Sequence, residues 1–147
     1  MDLKKLENIF KREFRKIKGL YCSFDEFLVV DRGHGIDYKY RSFRHSCENG
    51  DDDYYENSTK IIFSEVEYEK SLRYAVINLL CVHLDIRDEG YGGQMVRAVE
   101  EIFRLRGLRE VEVEQIDNFE FWKKMGYEQN IRVRGCEESI VFSRFIF

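Results

Sequence analysis

The residues of this chain whose types and spacing could do chemistry concentrate in one stretch, Leu80-Cys81-Val82-His83-Leu84-Asp85-Ile86-Arg87-Asp88-Glu89-Gly90-Tyr91-Gly92-Gly93. It follows a nearly all-apolar run and precedes a helical pattern, so a buried strand ends, the chain turns through three glycines, and a helix begins. Glycine lets the backbone adopt positive φ and approach a ligand closely. The first turn of a helix presents N–H groups that have no intrahelical acceptor. Together with the positive end of the helix dipole, these groups make an anion site of phosphate size. The same Gly-x-Gly-Gly spacing also serves as plain helix entry, and the turn by itself leaves both readings open. It is not a P-loop, because no Gly-Lys-Ser/Thr ending follows. It is not a dinucleotide fingerprint either, since Gly90-Tyr91-Gly92-Gly93 lacks G-x-G-x-x-G.

Other reactive side chains read more plainly. Cys22, Cys47, Cys81 and Cys136 are scattered, with no C-x-x-C pair and no zinc-type histidine spacing. With no signal segment at the N-terminus, they are expected to be free thiols in a reducing, cytoplasmic setting. His83 directly follows the apolar run and reads as a surface histidine. Glu65, Glu67, Glu112 and Glu114 lie on strand-like runs and read as the wet faces of half-buried strands. Asn78 could position a water but has no pKa useful for proton transfer.

Local patterns supply the elements that must hold the glycine turn. Leu3, Leu6, Ile9, Phe10, Phe14 and Ile17 recur at helical spacing, with Gly19 as a stop. Phe24 to Asp31 and Ile36 to Phe43 read as strands joined by the turn Arg32-Gly33-His34-Gly35. Residues 45–58 read as a polar loop, and Lys60 to Glu69 as a third strand. Tyr74 to Leu84 suits a central strand covered on both faces. Met95, Ala98, Val99, Ile102 and Phe103 mark the buried side of a helix ending at Gly107. Val111 and Val113 alternate with Glu112 and Glu114 as a short strand. Asp117 and Glu120 resemble a capping box that opens a helix to Met125. Residues 131–134 and 139–147 close the chain as strands. This order predicts a mixed α+β fold and one domain over residues 1–147.

Bulk composition bounds the function. The chain has 147 residues, is 44% hydrophobic and 15% aromatic, and contains no proline. No stretch approaches the roughly 20 apolar residues that span a bilayer. A net charge of −4 argues against nucleic acid as a partner. Lys4, Lys5, Lys11, Arg12, Arg15, Lys16 and Lys18 are then a solvated helix face. Glu48, Asp51, Asp52, Asp53 and Glu56 read as a solvated loop, or more sharply as a lure for a cationic acceptor.

One family fits the order of residues. Arg87-Asp88-Glu89-Gly90-Tyr91-Gly92 resembles the R/Q-x-x-G-x-G/A pyrophosphate motif of the GNAT N-acetyltransferases. Leu80-Cys81-Val82-His83 is similar to that family's splayed central strand. Phe121-Trp122-Lys123-Lys124-Met125-Gly126-Tyr127 resembles its late F-Y-x-x-x-G-F segment. The resemblance covers residues 74–128 and leaves residues 1–70 without a matching motif. It implies a central, mostly antiparallel, splayed sheet flanked by helices, and acetyl-CoA as co-substrate.

Specific roles follow from that resemblance. Backbone groups of Leu80, Cys81 and Val82 would pair with the acyl carbonyl and pantetheine arm like an added strand. A bulge there would splay this strand from the one at 111–115. Amides of Arg87, Asp88, Glu89, Gly90, Tyr91, Gly92 and Gly93 would wrap the pyrophosphate, and one backbone N–H would stabilise the developing oxyanion. Trp122 would touch the pantetheine, and Asn118, where relatives have a small residue, would either touch it too or merely cap the helix. The family pattern also breaks at the expected acid and base, and the connection from Val113 is shorter than in relatives. Trp122 stands where relatives carry a tyrosine acid, and indole N–H does not release a proton near neutral pH. Neither Val76 nor Asn78 supplies the strand glutamate of many relatives, so the sequence names no base. The expectation is transfer of acetyl from acetyl-CoA to a primary amine, with a non-catalytic acyl-CoA-binding module as the alternative. Pairing of two copies through the late strands is left open.

Overall fold

The computed structural model describes residues 2–22, 24–42, 59–69, 72–114 and 117–147. The acidic segment Glu48 to Glu56 and Cys47 lie outside these residues. In chain order the elements are α1 (Leu3–Arg15), β1 (Glu26–Asp31), β2 (Gly35–Ser42), β3 (Thr59–Tyr68), β4 (Leu72–Cys81), α2 (Tyr91–Leu105), β5 (Glu110–Val113), α3 (Phe119–Lys124), β6 (Glu128–Arg134) and β7 (Glu137–Phe145), with a short 3-10 turn at Leu84–Ile86. The strands form one seven-stranded sheet in the order β1-β2-β3-β4-β5-β7-β6. β4 and β5 pair in parallel, joined through α2, and every other neighbouring pair is antiparallel. The expected mixed fold with a mostly antiparallel sheet and flanking helices is the one observed.

Helix α1 forms because its apolar residues share one stripe and Asp2 caps it, accepting from the Lys5 N–H at 3.2 Å. That stripe buries Leu6, Phe10 and Phe14 against the sheet. Phe10 sits edge-on to Phe63 of β3 at 5.2 Å, and Phe63 sits edge-on to Phe103 of α2 at 5.5 Å. Both helices therefore cover the same sheet face, and edge-to-face ring contacts of this kind add to the area buried. Among the described residues no helix is long and apolar enough to cross a membrane.

Several boundaries differ from the sequence reading, each for a local reason. β4 stops at Cys81 rather than Leu84, because His83 caps the 3-10 turn, its Nδ1 accepting from the Asp85 N–H at 3.0 Å. Asp117 does not cap α3; Asn118 does, as the sequence also allowed, accepting from the Phe121 N–H at 3.3 Å. β6 and β7 both start earlier than expected, joined by a turn at Gly135 and Cys136.

Two glutamates expected on wet faces are buried instead. Glu112 is 5% exposed and pairs with Arg134 across β7. Glu65 is 1% exposed and faces the helices. It accepts from Arg73 at 2.6 Å, from Arg106 at 3.0 Å and from the Tyr38 hydroxyl, tying β2, β3, β4 and the end of α2 together. Burial and the adjacent Glu65 charge raise the Tyr38 phenol well above its ordinary value, so it stays a donor. A buried charge that loses its partners is costly. Replacing Glu65 by Ala strands two arginines that are each partly solvated. We expect a loss of about 3 kcal/mol in urea unfolding, and a loss below about 1 kcal/mol would show that the network adds little.

Candidate functional site

β4 and β5 stay together for only three residue pairs, Ala75–Val111 through Ile77–Val113. The Glu114 N–H donates to the Ile77 carbonyl at 2.9 Å and closes that ladder. On the other edge of β4, Phe63 of β3 faces Ile77 while Ile62 faces Leu79, so Asn78 is the extra residue of a bulge. A bulge bends its strand and increases its twist. Beyond it lies a cleft of about 630 Å³. The bulge thus falls at Asn78, just before the stretch Leu80–Val82 where the family resemblance placed it.

One wall of the cleft is Leu80, Cys81 and Val82, and its floor is Ile86, Arg87, Asp88, Gly90, Tyr91, Gly92 and Gly93. Asp117, Asn118, Phe121 and Trp122 form the opposite wall. The turn is fixed from within. The His83 N–H donates to Thr59 Oγ1 at 2.9 Å, and the Arg87 guanidinium donates to the Val82 carbonyl at 3.0 Å. Asp88 at φ +70° and Gly90 at φ +85° then reverse the chain into α2. Gly90 is the cap residue of α2, and Gln94 makes the first bond back, to the Gly90 carbonyl at 3.2 Å. The amides of Tyr91, Gly92 and Gly93 therefore have no acceptor within the helix.

Close approach explains Gly92. A Cβ there would lie 3.3 Å from the Phe121 ring and 3.6 Å from Val82, between the two walls. At Gly90 a Cβ would meet nothing within 4 Å, so the φ alone calls for glycine.

Every site residue expected from sequence lines this cleft except Glu89, which is exposed on the turn. Ile86, Asp117 and Phe121 also line it. Phe121 was visible as the first aromatic of the late motif, whereas nothing in the sequence marked Ile86. Trp122 is buried, edge-on to Phe121 at 4.9 Å and to Tyr127 at 5.2 Å, so its ring packs as well as lines. His83 is half-buried and acts as a cap, not as a free surface histidine. Among the described residues no three His, Cys, Asp or Glu side chains gather as a metal site.

The model for the acetyltransferase (GNAT) family matches residues 54–127, half of the chain and all of the cleft. The chain belongs to that family. No curated protein matches it. Solved structures share the fold: a protein assigned to the GNAT acetyltransferases from Desulfovibrio desulfuricans is 11% identical, with a TM-score of 0.51 over 76% of this chain and 70% of its own. Tetrahymena GCN5 is 18% identical, with a TM-score of 0.50 over 99% of this chain and 86% of its own. These GNAT likenesses concern architecture, whereas function resides in the cleft itself.

Burial pushes the Cys81 thiol up to about 11, which leaves it neutral and weakly nucleophilic at physiological pH. Cys22, Cys81 and Cys136 are all free, and Cys136 is exposed. An aromatic disulfide reagent at pH 8, read by peptide mapping, should label Cys136 quickly and Cys81 at least ten times more slowly. Equal rates would mean that the cleft wall opens far more than its packing implies.

Proposed function

We propose that this GNAT-family chain transfers an acetyl group from acetyl-CoA to a primary amine. The observation that carries the reading is the cleft that opens where β4 leaves β5 and runs down to the uncapped first turn of α2. The residues present suit a thioester with a pyrophosphate tail. Gly90 and Gly92 leave the floor without side chains, and the amides of Tyr91, Gly92 and Gly93 are donors for phosphate oxygens. Arg87, Asp88 and Glu89 belong to the same turn and contribute their backbone. The edge at Leu80, Cys81 and Val82 carries the pantetheine arm in strand fashion, with Asn118 and Trp122 opposite.

Each part has its own task. An N–H of that edge stabilises negative charge on the thioester oxygen as the amine attacks, and it does so away from bulk water, where such a donor counts most. The strands on either side hold the arm still, which orients the acyl carbon toward the acceptor. Thiols have pKa values near 8.5, so the departing sulfur can leave as a thiolate without a phenol at Trp122. The activity belongs to one domain in a cytoplasmic setting, with an amine acceptor as the second substrate. A homodimer through β6 and β7 is compatible with it.

A second reading, an acyl-CoA-binding module without turnover, is favoured by one observation. Trp122 is buried where a proton donor would stand, and Val76 and Asn78 bring no carboxylate to β4. Two measurements separate the readings. Calorimetry should give a CoA Kd in the micromolar range or tighter. Thiol release from acetyl-CoA over a panel of primary amines should exceed the amine-free rate. Binding without any amine-dependent release selects the second reading, and no binding at millimolar CoA removes both.

Gly92→Glu should weaken CoA binding by at least about 100-fold, because a carboxylate would enter the cleft at the phosphate donors. Circular dichroism and the melting temperature report separately on folding. A folded variant with unchanged affinity would place the phosphates elsewhere.

A further inference from the structure

The bulge residue does more than bend β4. Asn78 Nδ2 donates to Glu114 Oε2 at 2.6 Å, so a side-chain bond spans the two strands where their backbone ladder ends. The Glu114 carboxylate only accepts, which turns the amide nitrogen toward it and leaves Asn78 Oδ1 2.9 Å from Ser64 Oγ, whose single proton Asp37 Oδ1 also faces at 2.8 Å. Both Asn78 and Glu114 lie on the sheet face turned away from α1 and α2. The registers Ser64–Val76 and Val76–Glu112 put these side chains on one side, while Phe63, Ile77 and Val113 occupy the helix side. On this face Asn78 and Glu114 border a second pocket of about 450 Å³, walled by Tyr74, Val76 and Arg134.

Glu114 differs from the neighbouring acids on β2, β3 and β5. Glu65 is buried on the helix side among Arg73, Arg106 and Tyr38. Glu112 is held by Arg134, and Asp37 by Arg32 at 2.8 Å. Glu67 shares the helix side with Glu65 and lies at the far end of β3, opposite Arg73. Glu114 is exposed, and no cation among the described residues lies within ion-pair distance of it. A carboxylate that is fixed by a neutral amide, but not neutralised, keeps its charge available for a ligand cation.

We propose that the acceptor enters this second pocket as a cationic amine and that Glu114, aimed by Asn78, removes its proton; this rests on the acetyl-transfer reading. The ammonium gives one proton to the Glu114 carboxylate, and its nitrogen lone pair then forms the C–N bond at the acyl carbon. Collapse breaks the C–S bond. The second nitrogen proton leaves the product amide and ends on the departing thiolate through solvent, and Glu114 returns its proton to solvent. Glu114 is the general base, and Asn78 is a positioning residue.

The test pairs two nucleophiles on one enzyme. A small alkylamine such as benzylamine is an ammonium ion at neutral pH, whereas hydroxylamine is already neutral. With benzylamine, Glu114→Gln should lower kcat/KM by about 100-fold or more, the usual range for losing a general base. With hydroxylamine the loss should shrink to below about tenfold, because no proton has to leave before attack. Asn78→Ala should show the same contrast at smaller size, mainly in kcat. Glu67→Gln should stay within about threefold of wild type for both. CoA affinity by calorimetry should be unchanged in every variant. Equal losses with both nucleophiles, or no loss in Glu114→Gln, would overturn the assignment of the base. Wild-type protein that binds CoA but acetylates neither nucleophile would overturn the acceptor pocket. Failure to bind CoA at all would instead overturn the acetyl-transfer reading beneath it.

Discussion

The parting of β4 from β5 after Ile77 is the constraint on which the site depends. A parallel pair that continued would fill the cleft with its own ladder, and no ligand could lie between the strands. Here pairing ends after three residue pairs, and Asn78 inserts an extra residue opposite β3 at the same level. β4 keeps its bonds to β3 as far as Cys81, so the strand bends without detaching from the sheet. One backbone irregularity thus produces both a cleft edge and, through the Asn78 side chain, an anchor for Glu114 on the other face.

Such a gap in the middle of a sheet would close or fray unless the elements beside it were pinned. Two buried carboxylates do this on the helix side. Glu65 joins three strands to the end of α2. Glu100, on α2 itself, accepts from Arg97 at 2.7 Å, Arg144 of β7 at 2.5 Å and the Tyr127 hydroxyl at 2.7 Å. Burial, reinforced by the Glu100 charge, keeps the Tyr127 phenol protonated far above its ordinary value. Buried ion pairs of this kind give little net stability against apolar packing, but they penalise any arrangement in which a partner is missing. They hold the C-terminal half of α2 against the sheet, and through that rigid helix its first turn against Leu80–Val82, the span that the proposed thioester would have to cover.

Much of this was legible in the chain. Periodicity placed α1 and α2, and the alternating runs placed the strands, because burial on one face or both imposes period 3.6 or 2 on apolar residues. The glycine turn was readable because position 90 takes a positive φ and position 92 leaves little room for a Cβ between the two walls. What escaped was set by tertiary partners. Glu65 and Glu112 look like wet-face acids, and only the arginines brought to them by β4, β6 and the end of α2 make their burial tolerable. The bulge also escaped its exact position. Asn78 carries no local signature of an inserted residue, and the slip is defined by β3, far away in sequence. Glu114 lacks the arginine that holds Glu112 and stays exposed where Glu112 is buried, a difference that no spacing rule reveals.

Amide hydrogen exchange with and without CoA tests the central claim most directly, because it reads the backbone of the cleft without needing an acceptor or a mutation. Binding in the splay predicts slower exchange in peptides covering residues 80–82, 87–93 and 118–122, with α1, β1 and β2 unchanged. Saturating CoA that left those three segments exchanging as before, or that protected α1 and the first hairpin instead, would contradict the account.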